Sequence, residues 1–109
     1  MSYSQDNDIF KNTIKDCSQG IYLYDSGRNS ILSNNFINNS EAQAFFHTFI
    51  RMLSIKELLS CGLNKWNNNY WDTLNNQDIY IIDGVLNILS KSIPFKNFDR
   101  SPAIKKHDI

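Results

Sequence analysis

The sequence predicts a mainly β chain wound into about two stacked coils of 22 residues, and three observations carry that prediction. The stretch Asn7-Asp8-Ile9-Phe10-Lys11-Asn12-Thr13-Ile14 returns 22 positions later as Asn29-Ser30-Ile31-Leu32-Ser33-Asn34-Asn35-Phe36. A fixed internal period of this length is the mark of a solenoid, in which each slice buries its apolar face against the next. Fifteen of the 109 residues are Asn, a residue that is poor inside helices and ordinary strands. It is good at tight corners, where it tolerates the left-handed conformation and bonds its own backbone. The apolar pieces between these asparagines are short, β-branched or aromatic, and each is bounded by turn residues.

Residues 1–45 form the predicted coils. Asp8 to Phe10, Thr13 to Lys15, Ile21 to Tyr24, Ile31 to Leu32 and Phe36 to Ile37 read as strands. In Gly20-Ile21-Tyr22-Leu23-Tyr24, period-two alternation places Ile21 and Leu23 on one face and the tyrosines on the other. Ile9, Ile14, Ile21, Leu23, Ile31 and Phe36 are expected to stack inside, with asparagines laddered at the corners. Strict period sets Asp16 on Asn38 and Asp6 on Arg28. It also places Gln43 and Phe45 where Ile21 and Leu23 stood. A one-residue slip brings Ala44 and Phe46 there instead, and the more apolar interior favours the slip.

Residues 46–63 read as a helical insertion, centred on 47–60. Ser40-Glu41-Ala42-Gln43 matches a capping box, Phe46, Phe49, Ile50 and Leu53 follow helical spacing, and Gly62 suits a C-terminal stop. Residues 64–109 read as an aromatic C-terminal cap and tail. Asp78 to Gly84 suggests a strand and turn, and Ile93-Pro94 through Pro102-Ala103 reads as extended chain. A stack of coils exposes an apolar cross-section that needs a cap, and Trp66, Tyr70, Trp71, Phe95 and Phe98 supply the area.

Charge and composition exclude several function classes. Eleven basic residues balance eleven acidic ones, so no basic face is expected for a nucleic-acid partner. No apolar run approaches the roughly eighteen residues of a membrane span. Met1 to Asp6 has neither the basic nor the apolar segment of a signal peptide. Cys17 and Cys61 lie two periods apart, roughly 9.5 Å at about 4.8 Å per coil. That exceeds the roughly 7 Å between Cα atoms that a disulfide spans, so both are expected as free, buried thiols.

The pattern Asn-x-Ile-x-x-Asn-x-Ile, with Gly20-Ile21-Tyr22-Leu23 and Ser26, resembles the right-handed parallel β-helix repeats of the NosD-like, or CASH-type, family. Asn64-x-Trp66-x-x-Asn69-Tyr70-Trp71 is similar to the signature that closes many such proteins. The tail from Ile93-Pro94 through Asn97-Phe98-Asp99, Pro102-Ala103 and Asp108-Ile109 resembles their C-terminal segment. The resemblance covers 7–45 and 64–109. It implies a right-handed parallel β-helix and an extracellular, periplasmic or cell-surface setting. It implies a surface associated with polysaccharide; family members usually run many coils, whereas this chain carries about two. The missing partner would then be upstream coils, or a second copy meeting the open coil end.

No catalytic residues stand out. Asp16, Asp25 and Glu41 are scattered, and no two carboxylates sit at the separation that glycoside hydrolysis requires. His47 and His107 are isolated from one another and from sulfur donors, so no metal site and no cofactor is expected. Trp66, Tyr70 and Trp71 are candidates for stacking on sugar rings, set against the plainer role of sealing the stack. The function expected is a non-catalytic, carbohydrate-associated module, the end of a longer β-helix protein. The alternatives are the terminal part of a polysaccharide lyase or glycosidase, or a copper-maturation accessory protein.

Overall fold

The structure, a computed structural model, describes residues 4–50, 64–88 and 91–109. Among these every regular element is a strand, and most pairing is parallel. The strands fall into three tiers. The first holds β1 (Asp8–Phe10), β2 (Thr13–Lys15) and β3 (Gln19–Tyr24). The second holds β4 (Ser30–Leu32), β5 (Asn35–Ile37) and β6 (Ala42–Ile50). The third holds β7 (Lys65–Asn67), β8 (Tyr70–Trp71) and β9 (Tyr80–Ile88), followed by β10 (Lys91–Asp99).

Each tier pairs with the next in parallel. Ile9 sits beside Ile31 and Ile31 beside Trp66; Ile14 sits beside Phe36 and Phe36 beside Trp71. The residues expected inside are therefore stacked on one another, and Leu23, Ile31 and Phe36 are fully buried. β3 pairs with β6 through Ile21 and Ala44, and Leu23 and Phe46, so the one-residue slip holds. The reason is packing: Phe46 fills the core, and its ring occupies the space a side chain at Gly84 would need.

β9 and β10 form an antiparallel hairpin, and β10 also meets β7 at Asp99 and Trp66. One strand thus closes one end of two ladders, giving a seven-stranded order β1-β4-β7-β10-β9-β6-β3 beside the three-stranded order β2-β5-β8.

Three expectations change. The predicted helix fails where it can be seen, because Phe46 to Ile50 continue β6, and the rest of 51–63 lies outside the described residues. Phe46, Phe49 and Ile50 satisfy helical spacing, but burial alternates with period two, Phe46 and Thr48 inward and Phe45, His47 and Phe49 less so. Neighbouring strands on both sides supply the hydrogen bonds that make the strand the better solution. The segment read as pure cap contributes a third tier, since Asn64-Lys65-Trp66 occupies the place of Asn29-Ser30-Ile31. Cys17 is a free thiol but exposed rather than buried, because it sits at a corner on the outermost tier. Cys61 lies outside the described residues.

The corners follow one rule. Asp6, Lys11, Asp16, Arg28, Ser33, Asn38 and Asn68 all have positive φ between 53° and 59°, and after Arg28, Ser33 and Asn68 the next residue turns inward. Asn29, Asn34 and Asn69 are those inward residues, each fully buried. Burying an amide is costly unless every donor and acceptor is matched, and here they are. Asn7 N and Nδ2 donate to Asn29 Oδ1 at 2.9 and 3.1 Å, and Asn29 repeats both bonds to Asn64 Oδ1 at 3.0 and 3.1 Å. Asn12, Asn34 and Asn69 form a second column in the same way. The spare amide hydrogens reach back to the tier before, Asn34 Nδ2 to Ile9 O and Asn69 Nδ2 to Ile31 O. The expected pairs outside the core also form: Asn38 Nδ2 donates to Asp16 Oδ1 at 2.9 Å, and Arg28 meets Asp6 at 3.3 Å on the surface.

Candidate functional site

The second asparagine column leads directly to a cleft among the described residues. Below Asn69 the column ends on Asp99, whose Oδ2 accepts Asn69 N and Nδ2 at 3.0 and 3.1 Å. The same oxygen accepts the indole N–H of Trp71 at 3.0 Å, and Oδ1 accepts Ser101 N at 3.1 Å. A carboxylate suits this terminal place because it accepts without bringing an amide hydrogen that would then need a partner. The first column ends similarly: Asn97 Oδ1 accepts Asn64 N at 3.2 Å and the Trp66 indole N–H at 3.0 Å.

Both tryptophans are thereby fixed with their rings inward. Trp71, 1% exposed, lies stacked between Phe36, at 4.3 Å between ring centres, and Tyr80, at 4.1 Å. Trp66, 4% exposed, tilts against it at 6.0 Å. Tyr70 precedes Trp71 and is half-buried at the rim. Of the three aromatic candidates, the structure sets Tyr70 and Trp71 beside one cleft and turns Trp66 into the core.

That cleft has a volume of about 670 Å³. One wall is the loop after β8, where Leu74 N bonds Trp71 O and Gln77 N bonds Leu74 O. Asn75 and Asn76 adopt left-handed conformations there and carry their amides to the cleft with Gln77 and Asp78. The other wall is Ser101 to Ile104. It is held by Asn68 N to Ser101 O at 3.0 Å and Ala103 N to Asn69 O at 2.9 Å. Asp72 borders the cleft, and its carboxylate already accepts Asn38 N at 2.7 Å and the Gln43 side-chain amide. The arrangement offers one aromatic face, three amides and two carboxylates to a polar ligand.

Sequence reasoning found Tyr70 and Trp71 but missed Asp99, Asn97 and the loop amides. Asn97-Phe98-Asp99 was visible as a motif; its two polar side chains are the column ends, and their alternation on one strand was the available signal.

The histidines lie apart. His107 N donates to Asn35 Oδ1 at 2.8 Å and its Nε2 meets Asn68 O at 2.6 Å, which straps the tail along the corners. His47 sits on the outer face of β6, stacked on Phe49 at 4.9 Å with Tyr22 Oη 3.4 Å from Nδ1. Its Nε2 is buried with no partner among the described residues. Among those residues no group of three His, Cys, Asp or Glu side chains converges to hold a metal ion. No helix of the described residues is long and apolar enough to cross a membrane.

No curated protein and no solved structure matches the chain. The family model described as periplasmic copper-binding protein (NosD) matches residues 1–87. The paired tiers and the family match, which spans both asparagine columns as far as β9, agree: the chain belongs to the NosD family.

Proposed function

We propose that this chain is a non-catalytic module of an exported or cell-surface protein, built as the last coils of a right-handed parallel β-helix, and that the cleft beside Tyr70 binds a saccharide. The observation that carries the ligand reading is the lining of the cleft. The Tyr70 ring offers an apolar face for the C–H side of a pyranose, while Asn75, Asn76 and Gln77 amides and the Asp78 carboxylate can meet its hydroxyls. Sites for small polar ligands pair such a surface with a few placed polar groups. Trp66 and Trp71 in this reading seal the stack and hold Tyr70 in position. The family description, which is of periplasmic proteins, supports export.

The test is a glycan array followed by calorimetry on the hits. Intact protein is expected to bind at least one glycan class, and Tyr70→Ala to weaken that binding about tenfold or more, since lost stacking on one ring is worth ~1–2 kcal/mol. No binding by intact protein, or equal binding by Tyr70→Ala, would sink the saccharide reading.

The family description favours a second reading, a copper-maturation accessory role. Titration of Cu(I) in a competing chelator separates the two. Stoichiometric copper uptake that survives in His47→Ala and Cys17→Ser would exclude these two side chains as required donors.

A further inference from the structure

We infer that the cleft beside Tyr70 selects its saccharide by charge, accepting neutral and amino-bearing sugars and rejecting uronates. The inference rests on the saccharide reading of that cleft and narrows it to a class of sugar. Two carboxylates, Asp72 and Asp78, line the cleft, and no Lys or Arg of the described residues does. A third, Asp99, is fully buried beside Trp71 and accepts its indole N–H at 3.0 Å. Lys105 and Lys106 follow Ile104 in the chain, but neither lines the cleft. The charge on the lining is therefore all of one sign. A cleft of that kind repels ligands of the same sign and concentrates those of the other.

Holding an anion without a cation falls to hydrogen-bond donors, and backbone donors on both walls are already engaged. On one wall Leu74 N bonds Trp71 O at 3.0 Å and Gln77 N bonds Leu74 O at 3.3 Å. On the other, Ser101 N bonds Asp99 Oδ1 at 3.1 Å and Ala103 N bonds Asn69 O at 2.9 Å, while Pro102 between them has no N–H. The side-chain amides of the first wall each pair donors with an acceptor, which suits a hydroxyl better than an acceptor-only carboxylate. The two lining carboxylates play different parts. Asp72 is tied to the second tier, accepting Asn38 N at 2.7 Å and the Gln43 amide. Asp78 is exposed and accepts no hydrogen bond from a described residue, so it is the carboxylate left for a ligand. A sugar hydroxyl can donate to it, and a protonated amino group can do so with the added strength of opposite charge. A uronate there sets one carboxylate against another.

Calorimetry on the full chain with matched probes tests this. The probes are a neutral cello-oligosaccharide, the same chain oxidised to uronates, and its amino counterpart, a chitosan oligosaccharide, at mildly acidic pH where the amine is protonated. Neutral and oxidised galactan and mannan oligosaccharides run beside them. In whichever configuration binds, the uronate is expected to be at least about fivefold weaker than its neutral partner, and the amino form about threefold tighter than the neutral glucan. Raising the salt to roughly 0.5 M should shrink both differences, because the charges concerned are exposed. Asp78→Asn is expected to bring the uronate and neutral affinities to within about twofold of one another, whatever it does to neutral binding itself. Trp71 fluorescence reports that the fold of the variant is intact. A uronate bound as tightly as its neutral partner, or a ratio indifferent to Asp78→Asn, would overturn the charge inference and leave the saccharide reading standing. No binding by any probe would overturn both.

Discussion

The two ends of this stack begin from the same corner pattern and finish in opposite ways. At the closed end Asn69 and Asn64 donate to Asp99 and Asn97, two indoles donate to the same side chains, and β10 pairs with strands of two ladders. At the open end Asn7 and Asn12 are exposed, and the spare hydrogens of their amides turn back to the local carbonyls of Gln5 and Phe10. The same residue type is thus a buried structural element in one tier and a solvated surface group in another. What differs is whether a further tier supplies the missing partner. Stability should therefore be distributed unevenly, with the closed end holding the larger share.

The largest expected effect that would break this contrast is at Asp99. Asp99→Ala strands Asn69 N and Nδ2, the Trp71 indole N–H and Ser101 N without their acceptor. Leaving buried donors unpaired costs ~1–3 kcal/mol each before relaxation, so a loss of about 3–5 kcal/mol is expected in urea denaturation. Asn7→Ala, at the open end, is expected to cost about 1 kcal/mol or less. Equal losses at the two positions would remove the distinction between the ends.

Next in size is Gly84→Ala. The added methyl meets the ring of Phe46, which is fully buried, and overpacking of this kind costs ~1–3 kcal/mol. Phe46→Leu in the same background should recover part of that loss. Failure of the second change to relieve the first would mean that Gly84 is required for another reason.

The smallest effect is a pH dependence at Tyr80. Burial, the largest cause, raises its pKa above the ordinary 10.0, with nearby Asp72 and Asp83 adding to the rise and the Thr73 hydrogen bond opposing it. The unfolded chain releases this proton near pH 10, before the folded chain does. Stability from Tyr80 is thus fully present below pH 10 and is lost as pH rises through the folded pKa. A modest fall in stability above pH 10 is expected, and Tyr80→Phe should remove that component of it.

The core of the first two tiers was legible because stacking demands that like residues recur. Ile9 over Ile31 and Asn12 over Asn34 are readable at a constant step of 22. Even the slip to Ala44 and Phe46 could be read, since that register gives the more apolar interior. The third tier was obscured by its step, 35 positions from Asn29 to Asn64, and by the exchange of Ile31 and Phe36 for Trp66 and Trp71 in an otherwise unchanged frame. β6 was misread because Phe46 and Phe49 follow helical spacing, although in the strand they lie on opposite faces, and only the strands on either side decide between the two. The cleft was not legible beyond Tyr70 and Trp71. Its walls are two loops, one of them held by backbone bonds to Asn68 and Asn69, and such bonds leave no mark on side-chain identity.

The asparagine columns carry one more consequence. In each column the backbone N–H and one side-chain amide hydrogen donate in the same sense, from the first tier toward the third, while the second amide hydrogen turns back, so the backbone N–H dipoles add along the stack. The donor end of such a column is electropositive, much as the first turn of a helix is. Asp99 lies at that end of the second column, its carboxylate bearing the charge the column favours. The stack therefore has an electrical direction as well as a structural one.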